Sequence, residues 1–429
     1  MSTTIFSTSV TGGHEPIFTY AASGDSVIVN AGVTLSTASD TIFAPSGLTD
    51  LHATINGTVR GVTSVYAVGS SIDLTVDSTG RLEATDDAGF VGSYDSSLAN
   101  HGVIDSVTGV GVYDVTDARV ENWGTIGGYL DGVFFTNSAQ SGIATFVNHG
   151  TVQSSYNTVS SSAATTHVTN DGSILSEWQG IALGGSYPGH AATIENSGTI
   201  RATSGWGITG SAAVQLTNEG TISGGRGSIY LAGTGDDTIT NDGALNGRVA
   251  LGDGDDVYHG EAGRIRGPLW GQAGDDRLVG GAFVDVFAGG SGDDTLTGGA
   301  GADKLTGSTG ADRLSGGIGA DVFQFATAGE SVGDTIVASG GVLAFQRAGT
   351  AGGDRIDVSA IDANETLGGS QHFAFGASHA LGHLWAMDVG DVTHIRGNVA
   401  GGLAPEFDLA ISDGTGVHAS DYAGVDFIL

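Results

Sequence analysis

Seven times between residues 233 and 321 a glycine turn ends in an aspartate. The sets are Gly233, Gly235 and Asp237; Gly252, Gly254 and Asp256; Gly274 and Asp276; Gly290, Gly292 and Asp294; Gly299, Gly301 and Asp303; Gly310 and Asp312; Gly317, Gly319 and Asp321. Ser308 stands where the other copies have glycine. Glycine accepts positive φ at little cost, so a turn built on it can aim main-chain carbonyls at a common point. Aspartate adds charged oxygen to those carbonyls. Such an all-oxygen set suits a hard divalent cation. Two residues after each aspartate comes Ile, Tyr, Leu or Phe, an apolar anchor for the strand that follows.

Composition agrees with a cation requirement. The 429 residues carry 47 Asp+Glu against 14 Lys+Arg, a formal net charge of −33. Only 14% of residues are charged and 39% are hydrophobic, so a core can form once self-repulsion is relieved. A chain this acidic will not grip nucleic-acid phosphates, where Lys and Arg contacts dominate. With no cysteine there is neither a disulfide framework nor a thiolate zinc site. No apolar run reaches the 18 residues of a transmembrane segment, and Met1–Tyr20 lacks the basic start and apolar stretch of a classical signal peptide.

The turns need a scaffold that repeats, and an internal period supplies one. Asn122-Trp-Gly-Thr-Ile126 returns as Asn148-His-Gly-Thr-Val152, Asn170-Asp-Gly-Ser-Ile174, Asn196-Ser-Gly-Thr-Ile200 and Asn218-Glu-Gly-Thr-Ile222. The glycine column runs from Gly32 to Gly243 in steps of 22 to 26 residues, too short for a helical repeat unit. Short alternating segments between turn residues predict strands. Two or three of them per unit predict a coil of parallel β-structure, with Ile, Val and Leu along its axis and the asparagines stacked as an amide ladder. Similar Asn-x-Gly-Thr-Ile units occur in large secreted adhesins and autotransporter-like passenger regions, a resemblance of fold.

The aspartate turns resemble the Gly-Gly-x-Gly-x-Asp-x-U-x nonapeptide of the RTX calcium β-roll, where U is a large apolar residue. A coil of that family holds two nonapeptides, with a calcium turn on each edge. The resemblance therefore implies one row of Asp237, Asp256, Asp276, Asp294 and Asp312, an opposite row of Asp303 and Asp321, and about five Ca²⁺ between coils. The early coils would carry calcium turns on one edge only, the other keeping the rung pattern at Asn241–Leu245 and Glu261–Ile265. Asp321-Val-Phe-Gln-Phe325, Gly353-Asp-Arg-Ile-Asp357 and the terminal Asp426-Phe-Ile-Leu429 are similar to the C-terminal module of serralysin-type metalloproteases. That module implies a cap on the roll and an uncleaved signal read by type I secretion machinery. The protease itself is missing, because the His-Glu pair His14-Glu15 is followed by Pro16-Ile-Phe18 with no second histidine.

The expected fold is all-β: a parallel β-solenoid running into an RTX β-roll, with a β-rich C-terminal cap. The divisions are a cap at 1–29, β-helix at 30–230, β-roll at 231–324, and cap plus secretion module at 325–429. The expected function is a secreted, calcium-dependent, self-assembling solenoid with a structural or adhesive role at the cell surface or in a matrix. The rival is a polysaccharide-modifying enzyme of epimerase or lyase type. It is disfavoured because the Tyr-Gly-x-Asp-Pro-His motif of alginate epimerases is absent and the chain has a single lysine, Lys304. Tyr156, Trp178 and Trp206 fall near one flank of the coil, where they would contact glycan or a second protomer.

Overall fold

The computed structural model describes all residues except 138–140, 185–188, 367–369, 402–403 and 413–416. The chain divides into two compact units, Met1–Gly233 and Thr234–Leu429, both all-β and both parallel solenoids.

In the first unit each coil contributes one strand to each of three sheets. Asp117–Asn122, Thr125–Gly128 and Val133–Phe135 make one such coil. The next, Ile143–Asn148, Thr151–Ser154 and Asn157–Ser161, lies parallel on it with Asn122 opposite Asn148, Ile126 opposite Val152 and Val133 opposite Val159. The inward residue of each Asn-x-Gly-Thr-Ile rung is the last one: Ile126, Val152, Ile174, Ile200 and Ile222 are all fully buried. Residues 1–29 supply a strand to every sheet, with Thr3–Phe6, Val10–Thr11 and Phe18–Thr19 pairing onto the strands of the coil that follows. The end of this unit is thus itself a coil.

The asparagine column forms the expected ladder. Each Nδ2 donates to the Oδ1 of the next asparagine, from Asn100 through Asn122, Asn148, Asn170 and Asn196 to Asn218, at 2.7–2.8 Å. The glycine two residues on has a separate cause. A Cβ at Gly150 would overlap the carbonyl oxygen of Gly124, and one at Gly172 that of Gly150. At this corner successive main chains touch, so any side chain would force the coils apart.

The second unit begins with three faces and continues with two. Ala244–Asn246 pairs with Arg264–Ile265 in the second sheet. Beyond them the coil shortens to 18 residues, with Val286 opposite Lys304 and Thr295 opposite Arg313. The apolar residues after the aspartates, from Ile239 and Tyr258 to Leu314 and Phe323, fill the axis at 0–1% exposure. At the C-terminal end Val322–Gln324 pairs with Arg355–Asp357, which pairs with Phe427–Ile428. On the other sheet Thr335–Val337 receives Phe407–Ser412, the edge of an antiparallel set with Val392–Asn398 and His383–Val389. Among the described residues no helix is long and apolar enough to cross a membrane.

Candidate metal centre

The strands after each turn lie in register, so their leading aspartates stack in two rows. Along one edge every aspartate accepts, through Oδ1, the backbone N–H of the equivalent aspartate one coil earlier. The chain of contacts runs Asp237, Asp256, Asp276, Asp294, Asp312 and Asp334, at 2.7–2.9 Å. Along the other edge it runs Asp285, Asp303, Asp321 and Asp354, at 2.8–2.9 Å. These are the two rows read from the spacing, each longer than expected.

Three ladder members, Asp285, Asp334 and Asp354, escaped the sequence reading, although a signal was present for each. Gly280-Gly-Ala-Phe-Val-Asp-Val-Phe287 keeps the nonapeptide frame with Phe283 in place of its third glycine, midway between Asp276 and Asp294. Gly333-Asp334-Thr-Ile336 and Gly353-Asp354-Arg-Ile356 keep only the end of the motif, glycine, aspartate and an inward apolar residue. The last step of the second row, from Asp321 to Asp354, spans 33 residues, so a period search loses it.

Burial divides the two oxygens of each carboxylate. Oδ1 is engaged by the ladder. The Oδ2 atoms of Asp256, Asp276, Asp294, Asp312 and Asp334 on the first row, and of Asp303 and Asp321 on the second, are buried without a hydrogen-bond partner. An orphaned buried anion oxygen costs several kcal/mol unless protonated or given a cation, roughly the scale of burying any unpaired charge. At the far ends of the second row the need is absent: Asp285 Oδ2 accepts from the Gly281 N–H and Asp354 Oδ2 from the Gln346 N–H.

The glycines make this arrangement sterically open. A Cβ at Gly289 would collide with Oδ2 of Asp294, and one at Gly307 with Oδ2 of Asp312; these glycines, five residues before their aspartates, were not singled out from sequence. Gly292 and Gly310 sit at φ of 127° and 144°, a region that favours glycine. Two non-glycine residues share that backbone: Gln272 and Ser308, at 96° and 82°, occupy the position of Gly290.

Electrostatics follow from burial. Loss of water pushes the carboxyls of Asp256, Asp294 and Asp334 up to about 8, with repulsion from stacked neighbours adding to it. The same burial lifts Asp303 to about 7 and Asp276 and Asp285 to about 6. Among the described residues no group of three or more His, Cys, Asp or Glu side chains converges to hold a metal. A cation here would therefore draw its remaining oxygens from the glycine-turn carbonyls, the donor set of a hard ion. The residues fit Ca²⁺.

The other residues read as a site lie in the first unit. Tyr156 is exposed. The Trp178 ring lies under the guanidinium of Arg226 at 4.7 Å, and Trp206 stacks on Tyr230 at 5.1 Å. Trp178 and Trp206 are each part-covered by a neighbour from a later coil.

Residues 269–287 and 288–323 match the RTX calcium-binding nonapeptide repeat family. Residues 269–323 thus carry calcium-binding nonapeptide repeats of the RTX type, set within a parallel β-solenoid. Among solved structures it is similar to the AlgE6R3 subunit of the mannuronan C5-epimerase of Azotobacter vinelandii, at 31% identity over 36% of this chain and 77% of that one, with a TM-score of 0.27. A superposition that loose carries no argument about activity. No curated relative matches the chain.

Proposed function

We propose that this is an extracellular solenoid whose second unit folds on calcium and which serves a structural or adhesive role at the cell surface or in a matrix. The observation that carries the reading is the set of seven buried, partnerless Oδ2 atoms, five on one edge and two on the other. One Ca²⁺ per orphaned oxygen meets that demand. Because the unfolded chain has no preformed site, binding free energy becomes folding free energy. At cytosolic calcium the roll stays open, in a form that type I secretion machinery can thread. At the millimolar calcium outside the cell it coils. Parallel coils expose strand edges and flanks that favour association of copies with each other or with surface polysaccharide.

The test is circular dichroism and light scattering of the full chain, stripped of divalent ions and then titrated with CaCl₂. A calcium-dependent gain of β-signal followed by growth of particles supports the proposal. A spectrum and melting curve indifferent to chelator would overturn the calcium-folding step, and monomers at every calcium level would overturn self-assembly. New reducing ends or unsaturated uronates on incubation with glycans would favour the polysaccharide-modifying enzyme instead.

A further inference from the structure

The outward row along the middle of the first unit's second sheet reads Arg60, Glu83, Asp105, Gly127, Gln153, Leu175 and Arg201 through consecutive register pairs. At its start the row is a closed charge network: Arg60 contacts Glu83, and Arg81 contacts both Glu83 and Asp105, the last at 3.1 Å. Then it drops to a residue with no side chain. Unlike the corner glycines, Gly127 is not required by the backbone. A Cβ there would meet only ordinary contacts at 3.7–3.9 Å, whereas one on the adjacent Gly128 would overlap the Asp131 carbonyl oxygen.

The missing side chain opens a groove of about 650 Å³ across several coils. Its chemistry at the gap is paired. Asp105 Oδ1 and Gln153 Nε2 each lie 3.9 Å from where the Gly127 Cβ would be, an acceptor and a donor facing across one space. Tyr129, 71% exposed, stands at the wall, and Leu175 continues the floor. The charged lining residues are Asp105 and Glu177, both carboxylates.

We propose that this groove binds a neutral oligosaccharide. A sugar hydroxyl can donate to Asp105 and accept from Gln153 at once, which a hydrocarbon or a simple anion cannot do. The C–H face of a pyranose suits an exposed tyrosine ring, and a carboxylate-bearing sugar would meet Glu177 as a like charge, whereas the Asp105 charge is already paired with Arg81. This deepens the adhesive part of the reading above by naming what is held. It can fail separately, because the groove lies wholly in the first unit and the calcium ladder in the second.

The test is isothermal titration of the calcium-loaded full chain with neutral hexasaccharides (cello-, malto- and chitohexaose) and with oligoguluronate. Saturable binding of a neutral hexasaccharide is expected, weakened at least tenfold in G127L and in Q153A, with circular dichroism and melting temperature unchanged. Q153A removes only an exposed amide, so it decides the matter should G127L disturb the sheet. No neutral hexasaccharide bound at millimolar concentration, binding retained in Q153A, or oligoguluronate bound as tightly would each overturn the proposal.

Discussion

The smallest unit of this protein's chemistry is one carboxylate with unequal oxygens. In Asp294, Oδ1 accepts the Asp276 N–H while Oδ2 is left bare. Asn at this position keeps the acceptor and discards the charge. D294N is expected to bind one calcium fewer and to need more calcium to fold, read by titration calorimetry and circular dichroism. Its ion-free form should be more stable than wild type, because the buried charge has gone. Protonation tests the same logic. The carboxyls of Asp256, Asp294 and Asp334 sit near 8 when folded, against about 3.9 in an unfolded chain. The folded form therefore holds these protons more tightly. Their contribution to the ion-free coil is full below about pH 4 and disappears as pH rises through 6 to 8. Protein stripped of divalent ions should gain β-signal when taken from pH 8 to pH 5, and calcium binding at pH 7 should release protons. A strained backbone gives a third prediction. Replacing Ser308 or Gln272 by glycine relieves positive φ and should raise stability in calcium by about 1 kcal/mol each, measured by chemical denaturation.

At the scale of the strand and its corner, a rung is specified by a few positions and tolerates variation elsewhere. Asn170 both receives from Asn148 and donates to Asn196. N170A leaves buried partners unsatisfied on two sides and should cost about 1–3 kcal/mol, and I174A, at an axial position, about 2–5 kcal/mol; both are read as shifts in denaturation midpoint. This economy is why so much was legible in advance. Asn, Gly and Ile recur because an amide ladder, a main-chain contact and an axial methyl group each admit few residue types. The two aspartate rows were legible for the same reason. What stayed hidden was set by partners distant in sequence. Asp354 joins its row only after a 33-residue excursion, and Asp285 sits behind a phenylalanine in the glycine's place. The groove at Gly127 was invisible because the chain is full of glycine, and only the space around each one separates a required glycine from a dispensable one.

For the whole molecule, the two units hold their coils together by different means. In Met1–Gly233 the stacked corner position is apolar (Val29, Ile55, Val76) and then, from Asn100 to Asn218, a neutral amide, so chelator should leave that part folded. In Thr234–Leu429 the corners carry carboxylates, and the same chelator should open them. Limited proteolysis without divalent ions is expected to cut within 234–429 first and to spare 1–233, with calcium abolishing the difference; equal sensitivity of both would count against a calcium role confined to the ladders. Seven Ca²⁺ would offset 14 of the 33 excess negative charges, so the calcium-loaded chain keeps a large negative charge, and association of copies is expected to strengthen as added salt screens it.

The stacking of Asn148 directly beneath Asn170, with every residue between them closing one full turn, makes length a discrete variable. Excising 149–170 would join Asn148 to Asp171 and recreate an Asn-Asp-Gly corner, so the neighbours on either side would meet the same backbone register and the same asparagine ladder, with Leu175 in the place of Gln153 and Phe146 in that of Val168. Windings of this unit are therefore expected to be removable one at a time, with the coils that remain keeping their register.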